Sequence, residues 1–147
     1  MLHRILRSIP LALLALTTPA LVSAATAAEP ASIKVNLSDK GGKDRIVLST
    51  NTVTAGPVEF HITNTSKSQM HEFLVTPWKG AITALPYNAN KGEVIEHKLT
   101  HLAGVEDMKP GAKAILRLPL KSGHYAVFCD QPGHYKLGME ARFTVTR

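Results

Sequence analysis

Beyond residue 30, apolar and polar residues alternate with a period close to two, and this alternation most limits the possible folds. It is visible in residues 33–37, 58–62, 115–118 and 141–145. A period of two places every second side chain on the same face of a β-strand, so each segment predicts a strand with one buried and one solvated face. The chain is therefore predicted to be all-β.

Turn-forming residues separate the alternating segments at short intervals, and each turn contains Gly, Pro, Asn, Asp or Ser. Seven strands are predicted, near residues 32–38, 44–50, 57–64, 71–76, 112–118, 123–129 and 139–146. Short strands at this spacing favour a Greek-key β-sandwich of about seven to eight strands. The alternation is lost in residues 78–110, where we predict one short helix near residues 91–102.

The first 27 residues have the features of a secretory signal peptide. Two arginines precede a short apolar stretch, residues 9–24, that two prolines interrupt. A spanning helix requires about 20 uninterrupted apolar residues, so no stable membrane insertion is expected. Small residues predict cleavage after Ala24 or Ala27. Residues 28–147 would then form a single domain in the periplasm.

The charge of the exported chain restricts its partners. The chain has 17 Lys and Arg against 11 Asp and Glu, and the leader contains two arginines and no acid. Residues 28–147 therefore carry 15 basic and 11 acidic residues, a net charge of +4. This mild charge, without a run of Lys or Arg, argues against nucleic-acid binding and favours a partner with an acidic docking surface. We expect a monomer.

A single cysteine, Cys129, limits the possible chemistry. One cysteine excludes an internal disulfide, a Cys-rich zinc module and any iron–sulfur cluster that needs several thiolates. A free exposed thiol is a liability in an oxidising compartment. Cys129 is therefore expected to be buried or bound to a metal ion.

The residues after Cys129 add further metal-ligand types. Cys129, His134 and Met139 form a C-x4-H-x4-M motif between the last two predicted strands. A thiolate, an imidazole and a thioether are ligands that copper accepts in both oxidation states. His71, at the start of a predicted strand, is the natural candidate for a second imidazole. Zinc is disfavoured, because a thioether is a poor ligand for it.

With these residues the chain resembles the small exported cupredoxins of the plastocyanin and azurin type. The resemblance covers the strand pattern of residues 28–147, and its specific part is one upstream His and the Cys-His-Met loop with Pro132-Gly133 before the His. It implies one type 1 copper ion in a cupredoxin sandwich. The implied ligands are His71, Cys129, His134 and Met139.

The sequence departs from the family pattern at one position near the first histidine. Azurins and plastocyanins usually have an Asn after this histidine that connects the two ligand loops, whereas here Glu72 follows His71. The resemblance also implies that electrons pass through the edge of His134. We expect Pro132, Tyr135 and Leu137 to surround that edge.

Electron transfer between redox partners is the expected function, and the chain is not expected to be an enzyme. Four protein ligands leave no open position for a substrate. Multicopper oxidases carry a histidine on each side of the cysteine ligand, but Phe128 and Asp130 flank Cys129. Copper tolerance or delivery in the periplasm uses the same ligands and is the alternative. His97 and His101, four residues apart, are candidates for a second metal site if the short helix forms.

Overall fold

The computed structural model describes residues 28–39 and 44–147. These residues contain eleven β-strands, two 3-10 turns, Ile82–Ala84 and Glu96–Lys98, and no helix with the length and hydropathy to span a membrane. The predicted signal peptide lies outside the described residues and stays a prediction. The strands are β1 (Ala31–Ser38), β2 (Arg45–Leu48), β3 (Thr52–Thr54), β4 (Gly56–Asn64), β5 (His71–Pro77), β6 (Tyr87–Asn88), β7 (Glu93–Val94), β8 (Ala103–Met108), β9 (Lys113–Leu120), β10 (Gly123–Phe128) and β11 (Glu140–Thr146).

Nine of these strands form two sheets, and β6 and β7 form a separate two-stranded ribbon. The first sheet has the order β2-β1-β4-β9, and the second has the order β3-β11-β10-β5-β8. Pairing is parallel between β1 and β4 and between β11 and β3, and antiparallel elsewhere. The predicted all-β sandwich is confirmed.

The core lies between the two sheets and follows the alternation in the sequence. In β1, Ile33 and the two apolar residues that follow at steps of two are buried, while the residues between them are exposed. Phe60 of the first sheet contacts Phe73 and Phe143 of the second, with ring centroids 5.1 and 5.3 Å apart. This aromatic contact joins the sheets without help from a metal ion.

All seven predicted strands are present, and the prediction missed four others, the short β3, β6 and β7 and the longer β8. The sequence of β8 includes Gly104 and two acidic residues, and as the last strand of its sheet it pairs only with β5. A Cβ atom added at Gly104 would lie 2.6 Å from the carbonyl oxygen of Phe73. The glycine that breaks the alternation is therefore required by the close approach of β5.

The short helix predicted near residues 91–102 is wrong, because strand β7 and the 3-10 turn Glu96–Lys98 form there instead. The backbone N–H of Val94 donates to the carboxylate of Asp130 instead of to a helical carbonyl. Gly92 has a φ of +77°, which is outside the helical region. A backbone N–H that a helix would bond internally is thus bonded to a residue that is distant in the chain.

Loss of the helix also removes the basis for a second metal site at His97 and His101. The spacing of four residues places two side chains on one face only in a helix. His101 has a φ of 51°, outside the right-handed helical region, so His97 and His101 do not share a helix face.

Candidate metal centre

Three of the predicted ligands meet at one end of the sandwich. The neighbouring strands β5 and β10 are antiparallel, and His71 begins β5 while Cys129 directly follows β10. Their side chains therefore approach each other at the same end of the sheet. His134 lies in the loop of residues 129–139, which connects β10 to β11 and is called the 129–139 loop below.

The nitrogen and sulfur atoms of these residues converge on one point. Nδ1 of His71 lies 3.2 Å from Nδ1 of His134, and Sγ of Cys129 lies 3.6 Å from the same His134 atom. One ligand atom from each residue lies within 4.8 Å of the others. Among residues 28–39 and 44–147, this is the one group of three His, Cys, Asp or Glu side chains close enough to hold a metal ion.

Burial controls the protonation of this group. His71 and Cys129 are both 0% exposed. Burial lowers the pKa of His71, and the neighbouring His134 lowers it further, which favours the neutral imidazole that binds metals. Burial raises the pKa of the Cys129 thiol to about 12. A metal ion deprotonates a thiol that coordinates it, so the donors fit a thiophilic metal such as copper.

Backbone hydrogen bonds organise the surroundings of the sulfur. The N–H of Glu72 donates to Sγ of Cys129 at 3.2 Å. Within the loop, the N–H of Cys129 donates to the carbonyl of Met139, and the N–H of Met139 donates to the carbonyl of His134, both at 3.0 Å. Met139 is fully buried in the same core cluster as Cys129. The loop therefore brings the backbone of Met139 next to the other two residues of the motif.

A side-chain contact connects the two segments that supply the histidines. Nε2 of Gln131 donates to Oε1 of Glu72 at 2.6 Å. Burial raises the pKa of Glu72, and the hydrogen bond from Gln131 opposes that rise. Glu72 thus connects the start of β5 to the 129–139 loop, as an Asn usually does in azurins and plastocyanins. The sequence reasoning did not identify Gln131, although its place two residues after Cys129 puts it on the same loop.

The surroundings of His134 differ from the prediction at one residue. His134 is partly exposed, Pro132 is exposed, and Leu137 is 67% exposed. Tyr135, in contrast, is only 2% exposed, so its predicted place around the solvent-facing edge is wrong. Its ring packs against Phe128 in a second apolar cluster, which holds it in the interior.

Carboxylates gather beside the candidate centre. Burial raises the pKa of Asp130 to about 7, and three neighbouring glutamates add to the rise. Two further acidic residues, Glu106 and Asp107 on β8, raise the pKa of Glu72. Six of the eleven acidic residues of the chain therefore lie near one another on this flank. They are Glu72, Glu93, Glu96, Glu106, Asp107 and Asp130.

Solved structures of auracyanins and of rusticyanin superpose on this chain. A reduced auracyanin from Roseiflexus castenholzii superposes with a TM-score of 0.57 over 82% of this chain and 99% of its own, at 18% identity. Rusticyanin from Thiobacillus ferrooxidans superposes with a TM-score of 0.59 over 80% of this chain and 79% of its own, at 17% identity. Auracyanin A, a "blue" copper protein from Chloroflexus aurantiacus, superposes with a TM-score of 0.54 over 78% of this chain and 99% of its own, at 19% identity. The chain has a cupredoxin fold.

The likeness is one of structure and not of sequence. The chain matches no protein-family model and no curated protein sequence. Within the cupredoxin fold, His71, Cys129 and His134 nevertheless lie together as the sequence predicted. The fold explains this, because adjacent antiparallel strands bring the start of β5 and the end of β10 to the same end of the sandwich.

Proposed function

We propose that this protein is a periplasmic type 1 copper protein that carries single electrons between redox partners. The observation that carries the proposal is the convergence of two histidine Nδ1 atoms and one cysteine sulfur at the end of a cupredoxin fold. We assign four ligands to one copper ion. They are His71, Cys129, His134 and Met139.

The chain's own residues would keep the site similar in both oxidation states. When bound, copper supplies a one-electron Cu(I)/Cu(II) couple. His71 and Cys129 are buried and lie at the ends of paired strands, so neither side chain has room to rearrange. The thiolate and thioether suit Cu(I) and the imidazoles suit both states, so the donor set is a compromise between them. Met139, buried in the same core cluster as Cys129, would supply the weak thioether donor.

Protein donors fill every position of the proposed site, which is why we propose a carrier and not an enzyme. Electrons would leave through the partly exposed edge of His134. Leu137 and Pro132 are exposed on the same loop and give a partner a small apolar contact surface. A small contact area suits short-lived redox encounters.

The partner and the compartment are also parts of the proposal. Lys136 is exposed beside Leu137, and its Nζ lies 4.9 Å from the centre of the Tyr87 ring. This cation and the net charge of +4 would favour a partner with an acidic docking surface. The carboxylates near Asp130 would repel the same partner, so we expect it to approach from the Lys136 side. Export to the periplasm rests on the predicted leader.

A spectroscopic titration tests the ligand assignment. We expect one equivalent of Cu(II) to produce an intense visible thiolate-to-copper band and a type 1 EPR signal. Cys129→Ser should abolish the band, and His134→Ala should open the site to an external ligand such as imidazole. His124→Ala, a matched change at an exposed histidine earlier in β10, should leave both spectra unchanged. A coloured Cys129→Ser variant would refute the assignment.

A further inference from the structure

The 129–139 loop is attached to the segment between β5 and β8, residues 78–102, which is called the 78–102 segment below. We propose that Tyr135 is a positioning residue for the copper centre: its hydroxyl fastens the 78–102 segment to the loop and so fixes His134. This inference rests on the proposed function, because it names a residue that would hold a copper ligand in place without contacting copper.

Both hydrogen-bonding functions of the Tyr135 hydroxyl are used within this segment. The hydroxyl accepts a hydrogen bond from the N–H of Leu85 at 2.9 Å and donates one to the carbonyl of Ile82 at 2.7 Å. Tyr135 is 2% exposed and Leu85 is 3% exposed. Movement of the phenol would leave the buried N–H of Leu85 without a partner, which is unfavourable. Tyr135 directly follows His134, so fixing one restrains the other.

The ring of Tyr135 connects the loop to the strand that supplies Cys129. Its centroid lies 6.3 Å from that of Phe128, in an edge-to-face arrangement, and 5.8 Å from that of Tyr87. Phe128 directly precedes Cys129. The residue before one proposed ligand and the residue after another therefore pack in the same apolar cluster, together with Leu85.

Two more contacts attach the loop to the same segment. The N–H of Gly133 donates to the carbonyl of Gly92 at 2.8 Å, and the carboxylate of Asp130 accepts from the N–H of Val94. Gly92 has a φ of +77°, and a Cβ atom added there would lie 3.1 Å from the Gly133 nitrogen. The segment thus contacts the loop on both sides of its midpoint, and two of the attached residues, Gly133 and Tyr135, directly flank His134.

A pair of hydroxyl deletions separates positioning from general stability. Tyr135→Phe removes the hydroxyl at the loop. Tyr125→Phe is the matched control, because Tyr125 of β10 is also buried, at 8% exposure, and its hydroxyl donates to the carbonyl of Lys121, just before β10, at 2.8 Å. Both variants should lower the melting temperature of the copper-free protein. Only Tyr135→Phe should release copper to a chelator about tenfold faster, the effect of about one net hydrogen bond, and broaden the type 1 EPR signal.

Hydrogen exchange in the copper-free protein provides a readout that needs no metal. Tyr135→Phe should speed exchange of the amides of Leu85 and Gly133, while Tyr125→Phe should leave them protected. Unchanged protection of these two amides in Tyr135→Phe would overturn the inference. Equal rates of copper release from the two variants would also overturn the inference. If the wild-type protein is blue in that case, the proposed function stands.

If Tyr135→Phe does not fold, a glycine pair tests the attachment of the 78–102 segment to the loop at Gly133, the residue before His134. Gly92→Ala and Gly111→Ala impose the same backbone strain, since both glycines have a φ of +77°. A Cβ atom at Gly111 would have nothing within 4 Å, whereas one at Gly92 would press on the loop. Faster copper release from Gly92→Ala alone is expected, and equal release from both would count against the inference. Wild-type protein that binds no copper would overturn the proposed function and, with it, this inference.

Discussion

Nδ1 of His71 lies 3.2 Å from Nδ1 of His134, although the two residues are 63 positions apart in the chain. His71 begins β5, and His134 lies in the loop that follows β10, so the pairing of these two strands creates the contact. The unfolded chain contains no such group of donors. Metal binding and the stability of the fold are therefore coupled.

Copper should raise the melting temperature without being required for folding. The contacts of Phe60 with Phe73 and Phe143 join the two sheets independently of the candidate centre. Free copper at 100 times its dissociation constant should add about 2.7 kcal/mol to the free energy of unfolding. Calorimetry with and without copper measures the shift. Copper-free protein with no dispersed amide resonances would contradict this prediction.

Met139→Leu should keep the blue colour and raise the reduction potential. Loss of a weak donor disfavours Cu(II) more than Cu(I), and a tenfold change in relative affinity corresponds to about 59 mV for a one-electron couple. We expect a rise of at least this size by voltammetry. Met108→Leu, the same substitution at another buried methionine, should not raise the potential. A potential unchanged in Met139→Leu would remove Met139 from the ligand set.

Copper binding near neutral pH should release the Cys129 proton. Because burial raises the pKa of this thiol to about 12, the copper-free protein carries the proton at pH 7, and the copper thiolate does not. The release should persist through the alkaline range and decline only as the pH approaches about 12. Calorimetric titrations in buffers of different ionisation enthalpy count the protons. Cys129→Ser should release about one proton fewer, and an equal count would refute the thiol as ligand.

Gln131→Ala should loosen the connection between the two histidine segments. The variant removes the side-chain amide that donates to the half-buried carboxylate of Glu72. We therefore expect a loss of about 1 kcal/mol in the free energy of unfolding. Pro132→Ala, at the next and exposed position, should cost less than half as much. Urea unfolding of the copper-free proteins gives both values. Equal losses would show that the hydrogen bond contributes nothing measurable.

Leu137→Lys should slow electron self-exchange about tenfold with little change in potential. Leu137 is the most exposed large apolar residue near His134, and a charge there repels a second copy of the protein in the encounter complex. Ile115→Lys, at an apolar side chain that is 47% exposed on β9, is the control and should leave the rate unchanged. NMR line widths of mixed oxidised and reduced protein report the rate.

The reduced protein distinguishes a carrier from a copper-delivery protein. A carrier with four protein donors should retain Cu(I) against a chelator while it cycles reversibly at an electrode. Rapid transfer of copper to an acceptor protein, together with slow self-exchange in the wild type, would favour copper tolerance or delivery.

The strand pattern and the last three proposed ligands are local properties of the sequence. Alternation in β1 and β4 predicts which side chains are buried, because a strand has a period of two wherever it lies in the fold. Cys129, His134 and Met139 lie within one loop, so their spacing alone indicates a metal site. The likeness to cupredoxins follows from these local signals and is supported by structures below 20% identity.

The remaining features depend on partners that are distant in the chain. The carboxylate of Asp130 accepts a hydrogen bond from the Val94 N–H, which is then not available to the predicted helix. The hydroxyl of the buried Tyr135 accepts a hydrogen bond from the backbone N–H of Leu85. Local spacing carries no information about which peptide groups another segment will bond. The sequence by itself determined an all-β chain with Cys129, His134 and Met139 in one loop. Only the tertiary structure decided that His71 lies beside Cys129 and His134 and that the 78–102 segment contacts the loop, because both depend on contacts between segments that are distant in the chain.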